Sequence, residues 1–119
     1  MEHSKEFETL VSDIRPNVKE ITVAETLDRL ENGATLIDVR EDNEWDASHA
    51  KGAEHIGRGV IERDIVHKHP DKTEELILYC GGGYRSALAA DNLQKMGYTN
   101  VYSMIGGWTA WKEESAPVE

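Results

Sequence analysis

At 119 residues the chain is long enough for one domain with a single core and too short for two, and 39% hydrophobic with 30% charged residues is the balance of a soluble globular domain. A net charge of −10 opposes nucleic acid and anionic membranes, which want a basic surface, so neither is expected as a partner. The lone cysteine, Cys80, excludes an internal disulfide and any CxxC redox pair.

The chain starts Met1-Glu2-His3-Ser4-Lys5-Glu6, unlike a signal peptide. No later run approaches the roughly 18 apolar residues of a membrane span, so a cytoplasmic protein is expected. Phe7, Leu10, Val11 and Ile14 follow i, i+3, i+4, i+7 spacing and predict a helix with one apolar stripe. Ser4 can cap it and Pro16 stops it. Residues 1–18 thus read as an N-terminal helical extension, 19–115 as the domain proper and 116–119 as a tail. Lys19–Ile21 is a short extended candidate. Thr22-Val23-Ala24-Glu25 has the form of a capping box, with Val23, Leu27 and Leu30 on one helical face and Gly33 past its end.

Leu36-Ile37-Asp38-Val39-Arg40 predicts a buried strand, followed by a polar loop and short helix to Ala47. Glu54–Ile56 is a brief strand, and Val60–Val66 a helix closed by Pro70. Leu76–Tyr79 is a strand, and Ser86–Met96 a helix facing inward with Ala89, Leu93 and Met96. Val101–Met104 is the last strand, and Gly106-Gly107 turns the chain into a short helix bearing Trp108 and Trp111. Strands alternating with helices imply a three-layer α/β domain, a central parallel sheet flanked by helices. Ligands in such sheets bind beyond the carboxyl ends of the strands, and Cys80 lies at such an end.

Cys80 is followed by Gly81, Gly82 and Gly83, then Tyr84, Arg85, Ser86 and a helix start. Glycines permit left-handed dihedrals and close approach, so successive N–H groups can converge on one point. The helix start adds unpaired N–H groups and a positive dipole end. Donors arranged around a sulfur favour thiolate over thiol, which makes Cys80 a candidate nucleophile. A dinucleotide fingerprint and a P-loop both fail on spacing. The bland alternative is a buried cysteine used as a small apolar residue.

At these residues the chain resembles the rhodanese-like sulfurtransferase family, in its single-domain form. Cys80-Gly81-Gly82-Gly83-Tyr84-Arg85-Ser86 is similar to that family's active-site pattern. Leu36–Glu41 resembles its Asp-Val-Arg motif, and Gly106–Trp111 its closing Gly-Gly-x-x-x-Trp signature. Ser48–Ile56 resembles a further family segment, departing from it at Ser48 and Ala50. Cys80 and Arg85 enclose four residues, the loop length of the sulfur-transferring members; phosphatases of related fold use five.

The resemblance implies a rhodanese-like domain in which Cys80 takes a sulfane sulfur from a donor such as thiosulfate. It then holds a persulfide among the N–H groups of Gly81 to Ser86 and passes the sulfur to cyanide, a thiol or a protein acceptor. With no second cysteine, the acceptor must come from outside. Non-turnover sulfur carriage for a protein partner is the alternative. Arg85 faces the donor or braces the loop, for instance through Asp38. Asp38 and Arg40 read as braces, and Arg58 as an anion-facing or merely solvated arginine. Tyr84 is placed at the pocket mouth or in packing. His49 and His55 read as scaffold and His67 and His69 as solvated, and the three tryptophans as packing anchors. No cofactor and no metal site are expected.

Overall fold

The computed structural model describes residues 2–119. Helix α1 (Lys5–Ile14) begins where the Ser4 hydroxyl accepts the Phe7 N–H at 3.1 Å, and gives way to a tight 3-10 turn over Arg15–Asn17 containing Pro16. Strand β1 (Lys19–Ile21) leads into α2 (Val23–Glu31). That helix start is closed reciprocally. Thr22 Oγ1 accepts from the Glu25 N–H at 3.1 Å, and Glu25 Oε1 accepts from the Thr22 N–H at 2.9 Å. There follow β2 (Thr35–Asp38), α3 (Asp42–Ala47), β3 (Glu54–His55) and α4 (Ile61–Lys68). The chain closes with β4 (Leu76–Tyr79), α5 (Tyr84–Lys95), β5 (Val101–Met104) and α6 (Gly107–Glu113).

The five strands form one sheet in the order β1-β5-β4-β2-β3, and every pairing is parallel. All carboxyl ends therefore lie along one edge. The register pairs Asp38 with Tyr79, which sets the segments leaving β2 and β4 side by side. Side-chain alternation divides the core. Ile37, Val39, Leu76, Leu78 and Cys80 face α4 and α5 through Ile61, Ile65, Ala89, Ala90 and Leu93. Leu36, Ile77 and Tyr79 face α2 and α6 through Val23 and Trp111. Burial on both faces explains why the central strands read as continuous apolar runs. Among the described residues no helix is long and apolar enough to cross a membrane.

The structure departs from the sequence expectations at several points. Helix α5 starts at Tyr84, two residues before the expected Ser86, because Gly83 takes a left-handed φ of 97° and turns the chain directly into the helix. On α1, Val11 is fully buried but Leu10 is 53% exposed. The helix packs mainly on α5, and part of its apolar stripe stays uncovered. His69 is not solvated; its ring lies between Glu54 and Glu74, with Nε2 2.8 Å from Glu54 and Nδ1 3.0 Å from Glu74. The last residues are held as well. Val118 forms an antiparallel bridge with Ala50, and the Trp111 indole N–H donates to the Pro117 carbonyl at 2.7 Å.

Candidate active site

Cys80 continues the β4 alternation toward α5, and its residue surface is only 1% exposed. The loop after it aims two backbone donors at the sulfur: the Gly83 N–H at 3.1 Å and the Ser86 N–H at 3.4 Å. The second is one of the unpaired N–H groups of the first turn of α5. The thiol donates to Ser86 Oγ at 3.5 Å, and the hydroxyls of Ser86 and Ser103 lie 2.7 Å apart in the buried core. The sulfur thus sits at the N-terminal end of α5, where two backbone N–H groups are directed at it.

A second glycine turn fixes that loop from below. Gly106 and Gly107 hold φ of 76° and 51°, bringing the start of α6 against the loop backbone. There the Trp108 N–H donates to the Cys80 carbonyl at 2.7 Å, and the Thr109 N–H to the Gly81 carbonyl at 3.2 Å. A Cβ on Gly107 would stand 2.2 Å from the Cys80 carbonyl oxygen, so no side chain fits. The carbonyls of Cys80 and Gly81 are thus tied down by α6, away from the sulfur. Gly82 differs: a Cβ there meets nothing within 4 Å.

Arg85 folds back over the loop, its guanidinium 3.2 Å from where a Gly81 Cβ would stand. Its ion-pair partner is Glu44 on α3, not Asp38. Nη1 donates to Glu44 Oε1 at 2.9 Å and Nη2 to Oε2 at 3.4 Å. The pair holds the Glu44 carboxyl below its ordinary range, first through these hydrogen bonds and against the opposing effect of burial. Glu44 Oε1 also accepts the Glu41 N–H at 3.0 Å, so the carboxylate ties α3 to the loop.

Asp38 is committed elsewhere, within the buried network that closes the segment after β2. Arg40 donates to it through Nε at 3.0 Å and Nη2 at 2.8 Å, and Tyr79 Oη donates to it at 2.6 Å. Arg40 Nη2 also reaches the Ser48 carbonyl at 2.7 Å. Burial alone would lower the guanidinium, but Asp38 outweighs it and holds Arg40 above its ordinary range. Tyr79 is pushed well above the usual phenol value, chiefly by burial and then by Asp38, so it stays a neutral donor. The Arg40 guanidinium also lies 4.6 Å from the Trp108 ring centroid. Arg58 is not brought to the sulfur; it lies 3.8 Å from Glu62 one helical turn on, and it does not line the cavity over Cys80.

That cavity measures about 740 Å³. Cys80, Gly81, Gly82, Tyr84 and Arg85 line one part of it, Trp108 and Thr109 of α6 another, and Glu41 and Glu44 a third. The remaining wall comes from the N-terminal segment, through His3 and Phe7. Motif reasoning on the loop missed Glu44, because its contact with Arg85 spans 41 residues of sequence and has no periodic signature. Phe7 carried a signal, as the one phenylalanine in the apolar stripe, but nothing in the sequence says which surface the stripe meets. Trp108, a packing anchor on the sequence, both packs on Arg40 and faces the cavity.

Comparison with known proteins agrees with this architecture. The profile of the rhodanese-like domain matches residues 22–114. A thiosulfate sulfurtransferase GlpE of Pseudoalteromonas translucida is 36% identical over 95 residues, covering 79% of this chain and 89% of that protein. The solution structure of the polysulfide-sulfur transferase homodimer of Wolinella succinogenes superposes with a TM-score of 0.82 at 25% identity, over 96% of this chain and 87% of that one. A Rhodopseudomonas palustris protein of unknown function, described as a possible tyrosine phosphatase, shares the fold with a TM-score of 0.83 at 23% identity, over 100% of this chain and 98% of that one. The parallel sheet, the cysteine loop at its carboxyl edge and the match over residues 22–114 together identify this chain as a member of the rhodanese-like domain family.

Proposed function

We propose that this protein is a sulfurtransferase that carries sulfane sulfur as a persulfide on Cys80, with thiosulfate as one donor. The observation that carries the reading is a sulfur at the floor of a cavity, with the N–H groups of Gly83 and Ser86 directed at it. The thiosulfate sulfurtransferase GlpE relatives support the choice of reaction. The Cys80 thiolate attacks the outer sulfur of thiosulfate; a Cys80 S–S bond forms, the donor's S–S bond breaks, and sulfite leaves with its electron pair. A thiophilic acceptor then attacks the terminal sulfur of the persulfide, and the Cys80 thiolate is released. No oxidant or cofactor enters either half.

In this reading the loop acts by position and electrostatics. Negative charge on the reacting sulfur meets backbone N–H groups that need no reorganisation. The four-residue interval between Cys80 and Arg85 suits one sulfur atom better than a tetrahedral phosphate. No second cysteine can resolve the persulfide within the chain, so the acceptor is an outside thiol, protein or cyanide.

The test is an intact mass after incubation with thiosulfate, with Cys80→Ser as control. One added sulfur on the wild type, absent from the variant and released as thiocyanate by cyanide, is expected. An unchanged mass would overturn the thiosulfate reading. Loading without release would point to sulfur carriage without turnover, and Cys80-dependent hydrolysis of an aryl phosphate to a phosphatase.

A further inference from the structure

The cavity over Cys80 is far larger than an inorganic donor needs; at about 740 Å³ it falls in the range that holds drug-sized organic ligands. Its walls are also the wrong kind for a small dianion alone. The His3, Phe7 and Tyr84 rings form a continuous surface, with centroids 5.0 Å apart for His3–Phe7, 4.4 Å for His3–Tyr84 and 5.8 Å for Phe7–Tyr84. The Arg15 guanidinium, 4.9 Å from the Tyr84 centroid, supports that ring without lining the cavity. Trp108 adds a further ring to the lining.

The charges point the same way. Arg85 is the one guanidinium among the lining residues, and both its terminal nitrogens are engaged by Glu44. Glu41 stands beside them with a second carboxylate. Acid thus exceeds base at the mouth, while the donors for the reacting sulfur are uncharged backbone N–H groups. Such a site attracts a reactive sulfur through its floor and an apolar, ring-bearing body through its walls. To thiosulfate, a small dianion, it offers the N–H floor, while the lining guanidinium of Arg85 is already paired with Glu44.

From this we infer that α1 is part of the substrate site, and that Phe7, with His3 and Tyr84, selects an organic sulfane-sulfur donor carrying an aromatic group. The inference rests on the sulfurtransferase reading and names its substrate class. In the step concerned, the Cys80 thiolate attacks the outer sulfur of an R–SO₂–S⁻ donor; the S–S bond breaks, the sulfinate leaves with the electron pair, and the persulfide remains on Cys80. The R group lies against the Phe7 wall throughout.

Benzenethiosulfonate and methanethiosulfonate test it, since both are monoanions that release a sulfinate and they differ in the ring. With cyanide as acceptor, Phe7→Ala is expected to lower kcat/KM for benzenethiosulfonate roughly tenfold and for methanethiosulfonate less than about twofold. Phe7→Leu keeps an apolar residue for docking α1 and removes only the ring, so it should retain the thermal stability of the wild type and still show the selective loss. Equal losses on both donors, or no loss on either, would overturn the inference. Loading from thiosulfate with neither thiosulfonate used would overturn it while leaving the sulfurtransferase reading intact. Failure of all three donors to add sulfur to Cys80 would overturn both.

Discussion

The segments leaving β2 and β4 start from adjacent, parallel, register-matched strands, yet they do opposite things. After β2, the buried charges are consumed internally: Asp38 is taken by Arg40 and Tyr79, and Arg40 also by the Ser48 carbonyl. After β4, the carbonyls of Cys80 and Gly81 are tied by α6, while the N–H groups of Gly83 and Ser86 meet a sulfur under an open cavity. The same sheet edge therefore supports a closed brace or an open cradle around a cysteine. What decides is whether the donors find acceptors of their own. The two are joined by the Trp108 ring, which lies over Arg40 and faces the cavity.

The sharpest way to break the contrast is to remove the acceptor from the brace. Asp38→Ala strands a guanidinium that is 3% exposed, and is expected to cost about 3–5 kcal/mol in urea denaturation. A folded variant with wild-type stability would mean that the β2 segment is not held by this pair. Next in size is Gly107→Ala, whose Cβ collides with the Cys80 carbonyl at a positive φ. It should destabilise by about 3 kcal/mol and impair sulfur loading in the molecules that remain folded. Gly82→Ala is its control, with open space at the Cβ and an expected change within about 0.5 kcal/mol.

Glu44→Gln probes the reactive side. The pair with Arg85 is about one-third exposed on both partners, so stability should change by less than about 1 kcal/mol. Freeing Arg85 and removing one carboxylate should raise kcat/KM for thiosulfate roughly fivefold. A fall instead would assign Glu44 to holding Arg85 in its working position.

The smallest effect lies where the chain enters β4, away from the sulfur. Burial opposes the charged form of His69, but the hydrogen bonds it donates to Glu54 and Glu74 outweigh that and raise the imidazole above its ordinary value of 6.5. The raised folded value means that His69 contributes stability fully below about pH 6.5, and that this is lost as pH rises through the folded value. The unfolding free energy from urea denaturation should therefore decline over that rise in the wild type, by less than about 1 kcal/mol, and more weakly in His69→Gln. Identical pH dependence in the two proteins would show that this cluster does not titrate with folding.

Much of the scaffold is readable along the chain because it rests on local rules. The apolar runs at Leu76–Tyr79 and Val101–Met104 are strands as expected, and the Thr22–Glu25 capping box starts α2. The glycines after Cys80 likewise announce a turn into a helix. Where the structure differs from the local pattern, the cause is again physical. Gly83 turned the chain earlier than the apolar periodicity of α5 suggested, and His69 met two carboxylates that sequence distance hid.

Periodicity, caps and turn residues thus determined the order and type of the elements and the place of Cys80 at a strand end, since each depends on neighbours within a few residues; the parallel pairing followed only indirectly, from the alternation of strands with helices. Only the tertiary structure decided that Arg85 pairs with Glu44 rather than Asp38, that Gly107 must lack a side chain, and that α1 walls the cavity. Those facts depend on which surfaces meet after the chain has folded. Ion pairs and ring contacts between residues 41 or more positions apart leave no mark in local sequence.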